Sequence, residues 1–307
     1  MRITVTGATG LIGTKLVAAL RERGDEVTVL SRRPEDARRL LGVDAVGWHP
    51  ESEPAPVDAL VGRDGVVHLA GEPIAQRWTQ ESKGRIRSSR ELGTTRLIEG
   101  LQQSRARPRV LVTASAVGYY GARGDEHLGE DAPPGTGFLA GVCVAWEQAA
   151  AAAASLGMRT VTLRTGVLLD RADGALARML PPFRLGVGGP VAGGHQYISW
   201  IAPHDLVRLY LAALDEPAWA GPVNATAPEP VTNREFARAL GRVLHRPALL
   251  PIPAFALRGL YGAMASVVTT GQRALPDRAL ERGFEFRHTA IDGALRAALS
   301  PAGRASS

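Results

Sequence analysis

Three glycines fall three residues apart, at Gly7, Gly10 and Gly13, directly after an apolar β-branched run that begins at Arg2. At that spacing they suit one task, holding a diphosphate. Gly7 permits a tight turn, Gly10 lets backbone approach a pyrophosphate, and Gly13 lets the following helix pack on the strand. Thr9, Leu11 and Ile12 complete the turn, and a helix starting near Leu11 aims free N–H groups and the positive end of its dipole at the anion. A second apolar run, Glu26–Leu30, ends in Ser31-Arg32-Arg33. A site for the unphosphorylated dinucleotide places an acid there to take the ribose 2′-hydroxyl, whereas two guanidiniums favour a 2′-phosphate. The expected ligand is NADP(H).

These residues need a scaffold, and the hydrophobic pattern supplies one. Arg2–Thr6, Glu26–Leu30, Gly65–Leu69, Arg109–Ala114 and Thr160–Arg164 read as buried strands; Leu11–Arg23, Thr79–Ser104 and Phe138–Leu156 read as helices between them. Such alternation predicts an α/β fold, a doubly wound parallel sheet of the Rossmann type with helices on both faces. Ligands then lie at the carboxyl ends of the strands. That adds Leu69, Ala70, Gly71 and Glu72, Thr113 and Ala114, and Arg164 and Gly166 as cofactor-side candidates. After Gly166 the rhythm changes. A helix is expected near His204–Leu214, a strand at Val223–Ala225, and a capping box at Thr232–Glu235. The division predicted is a dinucleotide-binding domain over residues 1–230, with insertions after 166, and a small, mainly helical lobe over 245–300.

Composition narrows the function classes. The 307 residues are 45% hydrophobic and 21% charged, enough to bury a large core. The formal net charge of +6 is carried almost wholly by scattered arginines, Lys15 and Lys83 being the only lysines, and no compact basic block points to nucleic acid. Cys143 is the sole cysteine, so no internal disulfide forms and no metal site is expected. Strand-like residues start at Arg2, and the apolar stretch Phe138–Met158 is interrupted by Glu147 and Gln148; the expectation is a cytoplasmic protein that spans no membrane. The oligomeric state is not legible.

TGATGLIG (6–13), HLAG (68–71), SAVGYYG (115–121) and SWIAPHD (199–205) together resemble the extended short-chain dehydrogenase/reductase superfamily, the sugar-nucleotide epimerase group. That resemblance implies hydride transfer assisted by a serine or threonine, a tyrosine, a lysine four residues on, and a helix asparagine. This chain departs from the pattern. Counting back from Glu147 in the arrangement Y-x-x-x-K-x-x-x-E puts Cys143 at the lysine and Leu139 at the tyrosine. N-x-x-G-T aligns with Arg90–Thr94, so arginine stands for asparagine. An ungapped count from Gly121 sets the serine position at Ala116, next to Ser115. The departures, with SRRP (31–34), FRLGVGGPVAGGHQYISW (183–200) and the tail from Arg246 to about Phe286, resemble an atypical subgroup, epimerase family proteins of uncertain activity that carry a C-terminal domain of unknown function.

Other groups must then move protons. Ser115, Tyr120 and His195 are the catalytic candidates; Tyr119, Tyr197 and Glu72 also carry transferable protons, and Cys143, among apolar helix neighbours, reads as a buried small hydrophobe. Lys83, Arg87 and Arg90 share one helix face, where Arg90 is a candidate for the cofactor or an anionic substrate. Two functions are open: an NADP(H)-dependent oxidoreductase or epimerase acting on a small polar substrate, or a non-catalytic NADP(H)-binding redox sensor.

Overall fold

Short β-branched segments with no room for a polar face must be covered on both sides, and here they are. The computed structural model describes residues 1–300. Its first half alternates β1 (Arg2–Thr6), α1 (Leu11–Glu22), β2 (Glu26–Ser31), α2 (Pro34–Leu41), β3 (Asp44–Gly47), β4 (Gly65–His68), α3 (Gln80–Gln103) and β5 (Val110–Ala116). There follow β6 (His127–Leu128), α4 (Phe138–Ala151), β7 (Arg159–Thr165), β8 (Val167–Leu168), α5 (Gly174–Arg184), β9 (Tyr197–Ile198), β10 (Trp200–Ile201), α6 (Pro203–Asp215), β11 (Gly221–Ala225), β12 (Val231–Thr232) and α7 (Asn233–Leu244). The tail holds α8 (Ala254–Tyr261), α9 (Ser266–Thr269), β13 (Arg273–Ala274), α10 (Asp277–Glu281) and α11 (Ile291–Leu299).

Seven strands form one parallel sheet in the order β11-β7-β5-β4-β1-β2-β3. The register ends the central strands level: Thr6 pairs with Leu30 on one side and His68 on the other, and His68 with Thr113. The chain winds outward from β1 to β3, then returns to β4 on the opposite side, so β1 and β4 flank the topological switch point where α/β sheets bind ligands. On one face, Ile3, Val5, Val67 and Val112 pack under Leu16 and Leu20 of α1 and Leu206, Leu209 and Tyr210 of α6. On the other, Val66 and Leu111 meet Leu97, Ile98 and Leu101 of α3.

The doubly wound expectation holds, with differences at the edges. The strand β3, as short as β4 at four residues, is not among the expected strands because Ala45 and Val46 are its only apolar side chains. The helix expected over Phe138–Leu156 is α-helical to Ala151 and continues as a 3-10 turn, Ala152–Leu156, before Gly157 in the left-handed region (φ +78°). This is the one described stretch with the length and mean hydropathy of a membrane span, yet its inner residues Ala140, Val142, Cys143, Trp146 and Ala150 are buried in the domain. The capping box forms as read: the Glu235 N–H donates to Thr232 Oγ1 (3.3 Å) and the Thr232 N–H to Glu235 Oε2 (2.8 Å).

Packing is not divided at residues 230 and 245. A second core gathers Leu176, Leu180 and Phe183 of α5, Phe236 and Leu240 of α7, and Ile291 and Leu295 of α11 around Trp200. The second lobe is thus woven from three separated segments, and the tail also returns to the first: β13 pairs with β6, and Phe284 stacks edge-on against Trp219. A buried carboxylate fastens it. Asp205, in the first turn of α6, accepts the main-chain N–H groups of Arg287 (2.9 Å) and His288 (3.0 Å). Removing it leaves two part-buried donors without an acceptor. Asp205→Ala is expected to lower unfolding free energy by about 1–3 kcal/mol, read from urea denaturation, with proteolysis accelerated between α10 and α11; wild-type resistance in both assays contradicts this role.

Candidate functional site

The turn after β1 is built from glycine for steric reasons. Gly7 sits at φ +68°, and a Cβ there would lie 2.6 Å from the Leu69 carbonyl carbon and 2.7 Å from the Ala70 nitrogen. The turn therefore rests directly on the exit of β4. A Cβ on Gly13 would stand 2.5 Å from Ala8 Cα, so α1 packs on the turn only without one. At Gly10 a Cβ would meet just the Gly7 carbonyl oxygen, at 3.3 Å, with open space elsewhere. Gly10 is also the N-cap residue of α1 and supplies no side-chain acceptor, so the first-turn N–H groups at Leu11, Ile12 and Gly13 have no intrahelical partner. Thr9 and Gly10 are exposed at this lip. An anionic group fits the cradle that these residues leave.

Arg32 and Arg33 are exposed past β2 and form no ion pair among the described residues. The Arg33 N–H donates to Ser31 Oγ (3.1 Å), which holds the bend before α2. Across the switch point the floor is a single directed chain of hydrogen bonds. The Ala70 N–H donates to Thr6 Oγ1 (3.3 Å), Thr6 Oγ1 lies 2.7 Å from His68 Nδ1, His68 Nε2 lies 3.1 Å from Thr94 Oγ1, and Thr94 Oγ1 donates to the Arg90 carbonyl. Since Thr94 spends its proton on Arg90, it accepts from Nε2–H, and Nδ1 accepts from Thr6; one neutral tautomer satisfies every partner. Burial, reinforced by the nearby Arg90 charge, pushes the His68 pKa down to about 4. Residue spacing carried no sign of this chain, because its members come from β1, β4 and α3.

Arg90 points in from α3. Its Nη1 donates to the carbonyls of Glu72 (2.9 Å) and Ile86 (3.1 Å), and its guanidinium lies over the Trp146 ring, 4.9 Å from the centroid. A Cβ on the exposed Gly71 would press within 3.1 Å of Arg90 Cζ. The shared face expected with Lys83 and Arg87 is not used jointly: Arg87 pairs outward with Glu91 (2.8 Å) and Lys83 stacks on Phe138. The Glu72 N–H donates to Ser89 Oγ (2.9 Å), and its carboxylate accepts from Gln76 (3.2 Å).

At the end of β5 the structure joins residues the sequence had kept apart. Ser115 Oγ donates to Glu147 Oε1 (2.7 Å), and Arg164 holds the same carboxylate through Nε (2.9 Å) and Nη2 (2.8 Å). Arg164 Nη1 donates to Tyr120 Oη and to the Glu130 carbonyl, both at 3.0 Å, with Tyr119 stacked 3.5 Å away. Burial works against the Arg164 charge, but the Glu147 pair outweighs it and raises the pKa. Glu147 had been only a register mark; its signal was that it is the lone charged side chain in α4.

Three expectations are corrected here. Arg164 does not turn to the cofactor side, because a buried guanidinium must satisfy its donors internally. Tyr120 is not poised to exchange protons. Its phenol is fully buried, donates to Asn224 Oδ1 (2.7 Å), and is pushed up to about 12 by burial. Gly166 faces another strand rather than a ligand: a Cβ there would collide with the Ser199 carbonyl oxygen, and the Val167 N–H donates to that oxygen (2.7 Å). Thr113 is buried and Ala114 half-buried. His195 is exposed beside Gly193 and Gly194, on a separate loop held by Gln196 Nε2 through the carbonyls of Val191 (3.1 Å) and Val268 (2.9 Å). Tyr197 pairs with Thr232 between β9 and β12. Cys143 is buried as read, its thiol pushed up to about 11 by burial, and Leu139 packs beside it on Gly118.

A glycine-lined switch point in a parallel sheet, with a helix start open to an anion, defines a dinucleotide-binding α/β protein. Comparison with known proteins sharpens this. Residues 3–225 match the NAD dependent epimerase/dehydratase family, and residues 252–298 match a domain of unknown function, DUF1731. An epimerase family protein SDR39U1 homolog, chloroplastic, from Arabidopsis thaliana is 43% identical over 300 residues, 97% of this chain and 86% of the relative. Epimerase family protein YfhF of Bacillus subtilis is 36% identical over 296 residues, 96% of this chain and 97% of its own. The crystal structure of human epimerase family protein SDR39U1 with NADPH superposes with a TM-score of 0.86 at 32% identity, covering 97% of this chain and 98% of that one. The chain belongs to the NAD dependent epimerase/dehydratase family, in the form that carries DUF1731 at its C-terminal end.

The His68 chain makes a stability prediction. The folded state refuses a proton that an unfolded histidine binds below its ordinary value of 6.5, so stability is complete above pH 6.5 and falls as pH drops toward 4. The full loss amounts to about 3 kcal/mol. Denaturation midpoints across this window are expected to slope in the wild type and to flatten in His68→Asn; equal slopes in both proteins contradict it.

Proposed function

We propose that this chain binds NADP(H) at the β1–β4 switch point and acts as an NADP(H)-dependent oxidoreductase or epimerase on a small polar substrate. The observation that carries the proposal is the pairing of an uncapped α1 start behind Gly7, Gly10 and Gly13 with two arginines at the end of β2 that form no ion pair among the described residues. The first-turn N–H groups would hold the diphosphate, and Arg32 and Arg33 the 2′-phosphate. The human relative solved with NADPH supports the same assignment. When bound, the dinucleotide supplies hydride transfer at C4 of its nicotinamide ring.

What this chain adds is a proton route without a tyrosine–lysine pair. Leu139 and Cys143 stand on α4 where the resemblance would set those two groups, and neither an isobutyl group nor a buried thiol serves them. Ser115 is the best-supported replacement. Its hydroxyl ends β5, and Glu147, clamped by Arg164, accepts its proton. During oxidation a substrate hydroxyl would give its proton to Ser115 Oγ while Ser115 gives its own to Glu147; reduction runs the transfers in reverse. The same Leu139 and Cys143 favour a second function, a non-catalytic NADP(H) sensor, which predicts tight binding without turnover across a panel of carbonyl compounds and sugar nucleotides.

Calorimetry tests the cofactor assignment. NADPH is expected to bind about ten- to a hundredfold more tightly than NADH, since a charged hydrogen bond contributes about 1.5–3 kcal/mol. Arg32→Ala should erase most of that preference without weakening NADH. Equal affinity of the wild type for the two dinucleotides would sink the assignment.

A further inference from the structure

Arg90 is a cation without a counter-ion at the edge of the cleft. No carboxylate reaches it at ion-pair distance among the described residues, and its hydrogen bonds there all run from Nη1 to two carbonyls. Nε and Nη2 are left over. They lie beneath Gly71, which is exposed and carries no side chain to cover them, while Trp146 backs the guanidinium plane. An arginine pre-set in this way, stacked on one face and open along one donor edge, suits a planar or tetrahedral oxyanion. Burial lowers its pKa from the ordinary arginine value, and the nearby Glu72 carboxylate works against that shift without reaching ion-pair distance.

The sheet order says whose anion it is. Arg32 and Arg33 follow β2, the glycine cradle follows β1, and Arg90 sits behind the end of β4, toward β5 and the Ser115–Glu147 pair. A dinucleotide laid from β2 across β1 uses its 2′-phosphate and diphosphate at the first two stations. Its remaining half, the nicotinamide riboside, carries no anionic group. An anion at the third station must come from another molecule. We propose that Arg90 binds the substrate, through a carboxylate or phosphate group, and so selects acidic substrates for this site. The proposal rests on the cofactor assignment above for the direction in which the dinucleotide lies.

The experiment uses the whole chain with NADP⁺ bound and titrates oxalate and inorganic phosphate separately, against chloride at matched ionic strength; the two probes distinguish a carboxylate from a phosphate. Wild-type protein is expected to bind at least one of them, Arg90→Gln at least tenfold more weakly, and Arg90→Lys in between, while the dissociation constant for NADPH moves less than threefold. Three results overturn it: neither anion binds the wild type, both bind Arg90→Gln equally well, or Arg90→Gln loses NADPH tenfold or more, which would make Arg90 a cofactor residue. If the variants fold poorly, absence of binding by the wild type still overturns the proposal, and protection of the Arg90 guanidinium from arginine-selective modification by the bound anion takes the place of the variants. Should NADPH itself fail to bind, the cofactor assignment falls and takes with it the reason for giving the anion to the substrate, while the anion titration repeated on ligand-free protein still judges anion binding at Arg90 by the same tenfold criterion.

Discussion

One buried ion pair ties the two halves of this molecule to its cleft. Arg164 is almost wholly buried near the end of β7, and its donors reach Glu147 on α4, the Tyr120 phenol and the Glu130 carbonyl. Removing either charge would strand the other in the interior, which typically costs about 3–5 kcal/mol. The pair also decides where other groups stand. Through Glu147 it orients Ser115; through Tyr120 it reaches Asn224 of β11, whose side-chain amide holds the carbonyls of Leu128 (3.1 Å) and Leu275 (2.8 Å). Glu130, whose pKa burial raises, accepts the Asn224 N–H (2.9 Å) and helps seat Arg278 of the tail. Tail, sheet edge and candidate proton route therefore share one electrostatic anchor.

The cleft itself is shaped by what is missing. Glycine at 7 and 13 brings β1, α1 and the exit of β4 closer than any side chain allows, and glycine at 71 leaves the Arg90 edge uncovered. Its two walls are joined by few but specific contacts. Lys15 of α1 pairs with the buried Asp170 (2.9 Å), and Arg178 of α5 donates to the Ala75 carbonyl (3.0 Å).

Much of the scaffold was legible in local pattern. Strand and helix alternation, the glycine triplet, the Arg32–Arg33 pair and the Thr232–Glu235 cap each depend on neighbours within a few residues, and such features survive in a linear chain. Arg90 was legible as an oddity, a cation aligned with an asparagine position, though not its bonding to carbonyls in place of a carboxylate. The misreadings have separate causes. Tyr120 was chosen for its transferable proton, which Asn224 takes up. Gly166 follows β7 but packs on Ser199. Arg164 was placed near ligand because it stands at the end of β7, where side chains alternate between faces. Which face meets the cleft depends on the helix packed behind.

The sequence by itself determined the parallel sheet, the position of its switch point and the type of ligand that the first turn can hold, because backbone conformation at glycine and hydrophobic period are properties of short segments. Only the tertiary structure decided that His68 is neutral, that Glu147 serves Ser115, that the second lobe is woven from α5, α7 and α11, and that Arg90 has no counter-ion among the described residues. Those are relations among residues 26 to more than 100 positions apart. Burial and charge pairing act through space, and a one-dimensional order of side chains does not contain the distances on which they depend.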